Sequence, residues 1–526
     1  MTNPGFPVFM NLKVSSPVAP ASSISGLAVE DRVLKAEGSR AMPLRQGMNR
    51  REAVRIGAGF AVAGVLGRLL PGACRAAPGG GGRVFDVLKY GAVGDGITPD
   101  TAALQRAIDE ASVAGVGAQV LLRGGRRFLI GSLKLRGGID FHLADDAELL
   151  VSPTRGDYAD SGIGPYGGPF SPVITAVGAH GLRISGTGRI NGRSAQFMDH
   201  YDKQDGWWRP RGWRPRIFVL ESSKDVEVSG ITVEDTPEWV LHLLGCEGVR
   251  VAGLTIRNNL EIPNSDGIDV DHCRDIEISK CRIACGDDAI SVKTTVQKRE
   301  FGPCTDVRVA DCILETQDSG VKIGTHCHQD IHRILFERCD VKTSSRGIAI
   351  QMRDEGNVSD IEFRDISLVS RYNSSPWWGR GEAISITAHP RTPEMRMGSL
   401  GGVRVRNVTG RAENSIRVSG SRECRIRDVT LENVAITFDR WTAYPGAVFD
   451  NRPTTVYPEL EVHNTPGISV RHADGVLLKD CRVAWGRDCP ASFTHALEAE
   501  DVSRLALTRF TGEAAHPERD EAIVMT

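Results

Sequence analysis

The amino-acid sequence predicts an all-β solenoid, a parallel β-helix closed at its N-terminal end by one amphipathic helix. Three observations carry this. From about residue 181 one phrase recurs: a small or acidic residue, then alternating apolar positions, then a small residue or Cys. Copies begin at Asp225, Gly248, Asp275, Asp306, Arg333 and Asp360, 23 to 31 residues apart, with later ones at Gly402, Asp428 and Gly475. Each copy has period two and is rich in Val, Ile and Thr, which is strand patterning, and no 3.6-residue period competes with it. Strands repeated at one coil length form a stack in which each coil lies about 4.8 Å above the last.

The elements follow in order. Thr101 to Ala114 places Leu104, Ala107, Ile108 and Ala111 on one face, the pattern of a helix capping the open end of a solenoid. Within each coil a second strand reads Asp266-Gly-Ile-Asp-Val, Asp288-Ala-Ile-Ser-Val, Ser319-Gly-Val-Lys-Ile, Arg346-Gly-Ile-Ala-Ile and Glu382-Ala-Ile-Ser-Ile. Alignment makes Ile268, Ile290, Val321, Ile348 and Ile384 one inward ladder, and Val270, Val292, Ile323, Ile350 and Ile386 the next. Just before these strands, Asp266, Asp288, Ser319, Arg346 and Glu382 are expected to form an exposed polar column, with Trp239 on an earlier coil. Cys281, Cys312, Cys339 and Cys481 each fall six residues after a repeat start and read as stacked small hydrophobes. Cys273–Cys285 and Cys304–Cys327 stand as alternative disulfides without support from a CxxC motif.

A length of 526 residues would ordinarily mean several domains, but a solenoid lengthens by adding coils, so residues 84–526 read as one β-helical domain. Glycine is in excess, 58 residues, as recurrent turns require. The net charge of −2 argues against nucleic acid and anionic membrane as partners. Residues 1–47 read as unstructured or as a mis-assigned start before Met48. Residues 48–77, with Arg50-Arg51 ahead of a short apolar run, resemble a twin-arginine export signal, so the protein is expected to be periplasmic or secreted. The run is too short to span a bilayer. Cys74 leaves lipid anchoring open, and a monomer is expected.

The chain resembles the family 28 glycoside hydrolases, the polygalacturonase group of pectin-active β-helices. Tyr90-Gly-Ala-Val-Gly-Asp-Gly96, Pro237-Glu-Trp239 with His242 and Cys246, and above all Asn264-Ser-Asp266-Gly with Gly286-Asp287-Asp288 carry the resemblance. It implies a right-handed helix and inverting hydrolysis, with Asp287 as general acid, Asp266 and Asp288 holding the water, and no metal or cofactor. Asn264 and Lys293 join the substrate-binding set by the same resemblance. The chemistry also follows from the residues. Three carboxylates crowded on adjacent coils cannot all ionise cheaply, so one keeps a proton for a glycosidic oxygen while an ionised neighbour activates water.

Departures redirect the substrate. The family's Gly-His-Gly reads Asp318-Ser319-Gly320, and its Arg-Ile-Lys reads Ala349-Ile350-Gln351. His326 is a candidate replacement for the histidine. Arg346, Arg353, Lys322 and Lys293 are candidates for the missing positive charge. Trp377 and Trp378, in a Gly/Pro-bounded loop, are candidates for stacking on sugar rings, and Trp207, Trp208 and Trp213 pose the same question more weakly. A pectic polysaccharide or oligosaccharide is the expected substrate, with rhamnogalacturonan or another modified pectin favoured over plain polygalacturonan by these departures. Two other readings remain open: a β-helix lyase or epimerase, and a non-catalytic carbohydrate-binding solenoid.

Overall fold

A computed structural model describes residues 82–158 and 171–526. The twin-arginine segment, Cys74 and everything else before residue 82 lie outside the described residues. No helix among the described residues is long and apolar enough to cross a membrane.

The chain winds as a parallel β-helix from Val84 to Met525, with successive coils paired in parallel. The predicted ladders are present. Val226, Val249, Ile276, Val307, Ile334, Ile361, Val403 and Val429 are register partners from coil to coil. On the second wall, Ile268, Ile290, Val321, Ile348 and Ile384 pair in sequence, as do Val270, Val292, Ile323, Ile350 and Ile386. All ten are fully buried. Every repeat start named above has positive φ, from 51° at Asp360 to 78° at Gly475. Gly and Asp tolerate that left-handed conformation best, which explains the recurring small or acidic residue. Arg333 holds the same conformation with its guanidinium on Asp306 of the coil below, 2.6 Å away.

The cap is the helix Thr101–Ala114, which buries Ala103, Leu104, Ala107, Ile108 and Ala111. Asp100 ties the Tyr90–Gly96 motif to it, since its carboxylate accepts from the Val93 N–H (2.6 Å) and the Gly94 N–H (3.1 Å). Cys281, Cys312, Cys339 and Cys481 are buried as predicted. Every described cysteine is a free thiol, so the two alternative disulfides are not formed.

One expectation is overturned. The polar column exists in the predicted register, but it is not exposed: Asp266, Asp288, Ser319, Arg346 and Glu382 are each at most 3% accessible. Long connections between coils fold back over this wall, and residues 372–382 and 440–465 supply most of the cover above Ser319. Buried charges require partners: these segments provide them for Arg346 and Glu382, while Lys293 and Lys322 on the wall's own strands serve Asp266 and Asp288.

Candidate active site

The site is built on three successive wall strands, Ile268–Asp271, Ile290–Thr294 and Ser319–Cys327. Asn264 enters it with φ +57°, a conformation Asn accepts more readily than most residues. Its backbone N–H then donates to Asp287 Oδ2 at 3.2 Å, with its side-chain amide at 3.5 Å from the same oxygen. The Asp288 N–H donates to Asp287 Oδ1 at 3.0 Å, so both acid oxygens are braced. Gly286 keeps this junction tight. A Cβ there would overlap Ile262 O and crowd Ser265 Oγ, which accepts from the Gly286 N–H at 2.9 Å.

Asp266, Asp287 and Asp288 converge, each offering an oxygen within 4.8 Å of the others. Asp287 alone of the three is half-buried; the other two are 3% accessible. Lys322 Nζ sits 2.7 Å from Asp288 Oδ2, and Lys293 Nζ 2.5 Å from Asp269 Oδ1 and 3.8 Å from Asp266 Oδ2. The Lys293 ammonium also lies 4.3 Å from the centre of the Trp239 ring, and the Arg216 guanidinium 3.6 Å from it. Trp239 therefore occupies the column position predicted for it. Asp266 Oδ1 and Asp288 Oδ1 are buried and accept no hydrogen bond from the described residues.

Electrostatics follow from this crowding. Burial, then Asp288, push the Asp287 carboxyl up to about 6, against the pull of Lys322. Burial raises Asp266 well above the usual carboxylate range, with Asp269 and Asp287 adding to it. Lys322 is held charged: burial disfavours its ammonium, but Asp288, Asp318 and Asp287 outweigh that. Asp318 is pushed up to about 8 by burial and by Asp288 and Asp287.

The other predicted residues divide. Lys293 and Lys322 reach the carboxylates. His326, half-buried, stands near the far end of its strand beside His328, with Arg391, Asp354 and Lys293 around it; burial first, then Arg391, pushes it down to about 3. Trp378 is half-buried, with Lys322 Nζ 5.9 Å from its ring centre. Three expectations fail on burial. Trp377 is 2% accessible and packs edge-on against Trp207, centroids 5.5 Å apart, so its face is not offered to a sugar. Arg346 and Arg353 are fully buried and donate to the carbonyls of Asp450 and Asn451. Their charges are consumed by a covering segment that repeat patterning does not place.

Among the described residues, two groups have metal-ligand spacing: the three aspartates, and His326, His328 and Asp354. Ammonium groups already occupy the cationic positions around the first. Arg391 grips Asp354 with two hydrogen bonds, 2.9 and 3.1 Å, in the second.

Sequence reasoning missed Asp269, Asp318 and Arg214. Strand alternation makes Asp269 outward, between inward Ile268 and Val270, so it was readable. Asp318 adjoins the column at Ser319, whose hydroxyl donates to it at 2.8 Å. Arg214 had no local signal. Its guanidinium donates to Pro237 O (2.9 Å), Pro263 O (2.6 Å) and Asn264 Oδ1 (3.0 Å), clamping the loop that braces Asp287.

Comparison with known proteins agrees with this construction. The family described as Glycosyl hydrolases family 28 matches residues 166–444, just over half of the chain. A probable polygalacturonase of Arabidopsis thaliana is 32% identical over 213 residues, covering 40% of this chain and 42% of that protein. One of Vitis vinifera is 29% identical over 304 residues, covering 54% and 60%. The chain thus spans about half the length of these curated relatives. Among solved structures, the Yersinia enterocolitica family 28 exopolygalacturonase superposes with a TM-score of 0.61 at 18% identity, covering 81% of this chain and 78% of that one. The Thermotoga maritima exopolygalacturonase gives 0.57 at 21% identity, covering 68% and 87%. These likenesses show a shared right-handed β-helical fold. With its Asn264–Asp266 and Asp287–Asp288 motifs on adjacent coils inside the matched region, the chain belongs to glycosyl hydrolase family 28.

Proposed function

We propose that the protein hydrolyses glycosidic bonds of a pectic polysaccharide or its oligosaccharides. The observation that carries this is the state of Asp287: half-buried, braced on both oxygens, and raised to about 6 beside two buried carboxylates. A proton held there up to about pH 6 is what a leaving glycosidic oxygen requires. In the step, Asp287 gives its proton to that oxygen as the bond to the anomeric carbon breaks. Water, accepted by the unpartnered oxygens of Asp266 and Asp288, adds its hydroxyl to that carbon. Its released proton passes to Asp288. Lys293, Lys322 and Arg216 place cationic groups among the carboxylates, which suits an acidic sugar. Polygalacturonan and rhamnogalacturonan both remain candidate substrates, since Ala349 and Gln351 stand where the family's basic pair is expected.

The reaction is read as independent of metal, because lysines neutralise the carboxylates. We also propose export by the twin-arginine route, action as a monomer, and residues 84–526 as a single catalytic domain. The test is a panel of pectic polymers and oligomers assayed for new reducing ends and for the absorbance of 4,5-unsaturated products. Reducing ends without that absorbance, unchanged by chelator, support hydrolysis; chelator-sensitive unsaturated product would falsify it in favour of a lyase. Asp287→Asn is expected to lose roughly 10²–10⁴-fold in kcat with its circular dichroism unchanged. Full activity in that variant removes Asp287 from the acid role.

A further inference from the structure

Beyond Lys322 the wall that carries the site is crossed by another part of the chain. The strands Arg346–Met352 and Asn414–Ser419 receive residues 448–452 laid across them from edge to edge. Asn414 donates to Val448 O at 2.9 Å, and Arg346 to Asp450 O at 3.2 Å. Arg353 donates to Asn451 O at 3.3 Å, Arg417 to Asn451 Oδ1 at 2.7 Å, and Gln351 to Arg452 O at 3.2 Å. Val448–Asp450 is itself one arm of an antiparallel hairpin with Leu460–Val462. The approach is fixed by Glu413, fully buried, whose carboxylate accepts from the Trp441 and Thr442 N–H groups at 2.7 Å each. Asp450 accepts from the Gly379 N–H at 2.8 Å, and Arg452 donates to Trp377 O at 2.7 Å, so the crossing segment is bolted to the Trp377–Trp378 loop. Asp450, fully buried, also pairs with Arg452 at 2.6 Å and lies 3.8 Å from Arg346, and withdrawing one partner of a buried ion pair leaves the other charge unpaired at high cost. The crossing is therefore a wall and not a lid.

Its position matters. Arg346 lies two coils past Asp288 in the same column, about 10 Å at the spacing of stacked strands. Trp378 stands at the foot of the wall, half-buried and facing Lys322. A polymer lying along the strand stack cannot continue through a segment whose main-chain carbonyls are held by the side chains of Arg346, Gln351, Arg353 and Asn414.

We propose that residues 448–452 close the substrate cleft on this side, making the protein an end-directed (exo-acting) hydrolase whose terminal sugar stops against Trp378. The inference rests on the hydrolase reading above and adds where along the polymer it cuts. Closure on one side suffices, because an internal bond needs chain running out in both directions.

The experiment is a time course of the purified full chain on whichever soluble pectic polymer of the panel it cleaves. Viscosity, reducing ends and product sizes are read together, with end-labelled oligomers of the same polymer assigning the attacked end. The expected result is one short product from the first time point, with viscosity almost unchanged while reducing ends accumulate. Trp378→Ala is expected to raise KM on short oligomers about tenfold, the worth of one lost stacking contact, with thermal stability retained. Early rapid viscosity loss with a ladder of intermediate oligomers overturns end-directed cleavage while leaving the hydrolase reading intact. Failure to cleave any polymer or oligomer overturns both.

Discussion

Lys322 Nζ lies 2.7 Å from Asp288 Oδ2, the two residues one coil apart and both shielded from solvent. The pair also shapes its neighbour, because the Lys322 charge holds the Asp287 carboxyl lower than burial and Asp288 alone would leave it.

Removing that charge has two separable effects. Lys322→Met leaves Asp288 as an unpaired buried carboxylate, a change that costs about 3–5 kcal/mol. It also releases Asp287 to titrate at higher pH, so the alkaline limb of kcat moves upward from about 6. Denaturant melts and a pH–rate profile check these together. In Lys322→Met/Asp288→Asn the stability returns, while activity stays low because the carboxylate that receives water's proton is gone.

Asp318 makes a second pH prediction, this time for stability. Its carboxyl is raised from the usual 3.8 to about 8 in the folded chain, so folding takes up a proton between those values. The folded state then binds more protons than the unfolded one, and stability falls as pH rises through that window. Thermal melts of the wild type are expected to drop from mildly acid pH toward pH 8. Asp318→Asn cannot titrate and should show a flatter dependence. An unchanged slope would show that Asp318 is ordinarily ionised.

The solenoid, its inward ladders, the cap and the convergence of Asp266, Asp287 and Asp288 were legible from sequence because each follows from local chemistry repeated in register. Alternation sets which side chains point inward, and Asp225, Gly248, Asp275 and Asp306 announce left-handed corners one coil apart. What was not legible lies in contacts between segments far apart in the chain. Arg346 reads as an exposed cation until Asp450, 104 residues later, covers it. Trp377 reads as a sugar platform until Trp207 packs on it. Arg214 sits in a Gly/Pro-rich connection without repeat character, 50 residues before the Asn264 it holds.

That last contact is testable. Arg214 fans three donor contacts over two proline carbonyls and the Asn264 amide oxygen. A lysine keeps the charge but has neither the planar fork nor its fixed spacing. Arg214→Lys should therefore lower kcat with little change in KM, since Asn264 positions the acid and not the bulk of the substrate. The same variant should leave the pH of half-maximal kcat near 6, because the charge near Asp287 persists. A fall confined to KM would assign Arg214 to substrate binding instead.

The stereochemical outcome is the sharpest test of the site. Carboxyl groups about 5–5.5 Å apart ordinarily signal retention and ~6.5–9.5 Å inversion, and here the nearest oxygens of the three aspartates lie within 4.8 Å. That is a distance between nearest oxygens, which fits either separation of the carboxyl groups, so the charges decide. A nucleophilic carboxylate has to be ionised and free to approach the sugar, but burial and its acidic neighbours raise Asp266 well above the usual carboxylate range, which disfavours its ionised form, and Asp288 is pinned to Lys322. What the two do share is a pair of buried, unpartnered oxygens on adjacent coils, arranged to accept the two hydrogens of one water. Inversion at the anomeric carbon is therefore expected. Proton NMR of the first product, recorded before mutarotation, reads it directly. Retention of configuration would make Asp266 or Asp288 the nucleophile, and mass spectrometry of a trapped glycosyl-enzyme would identify which.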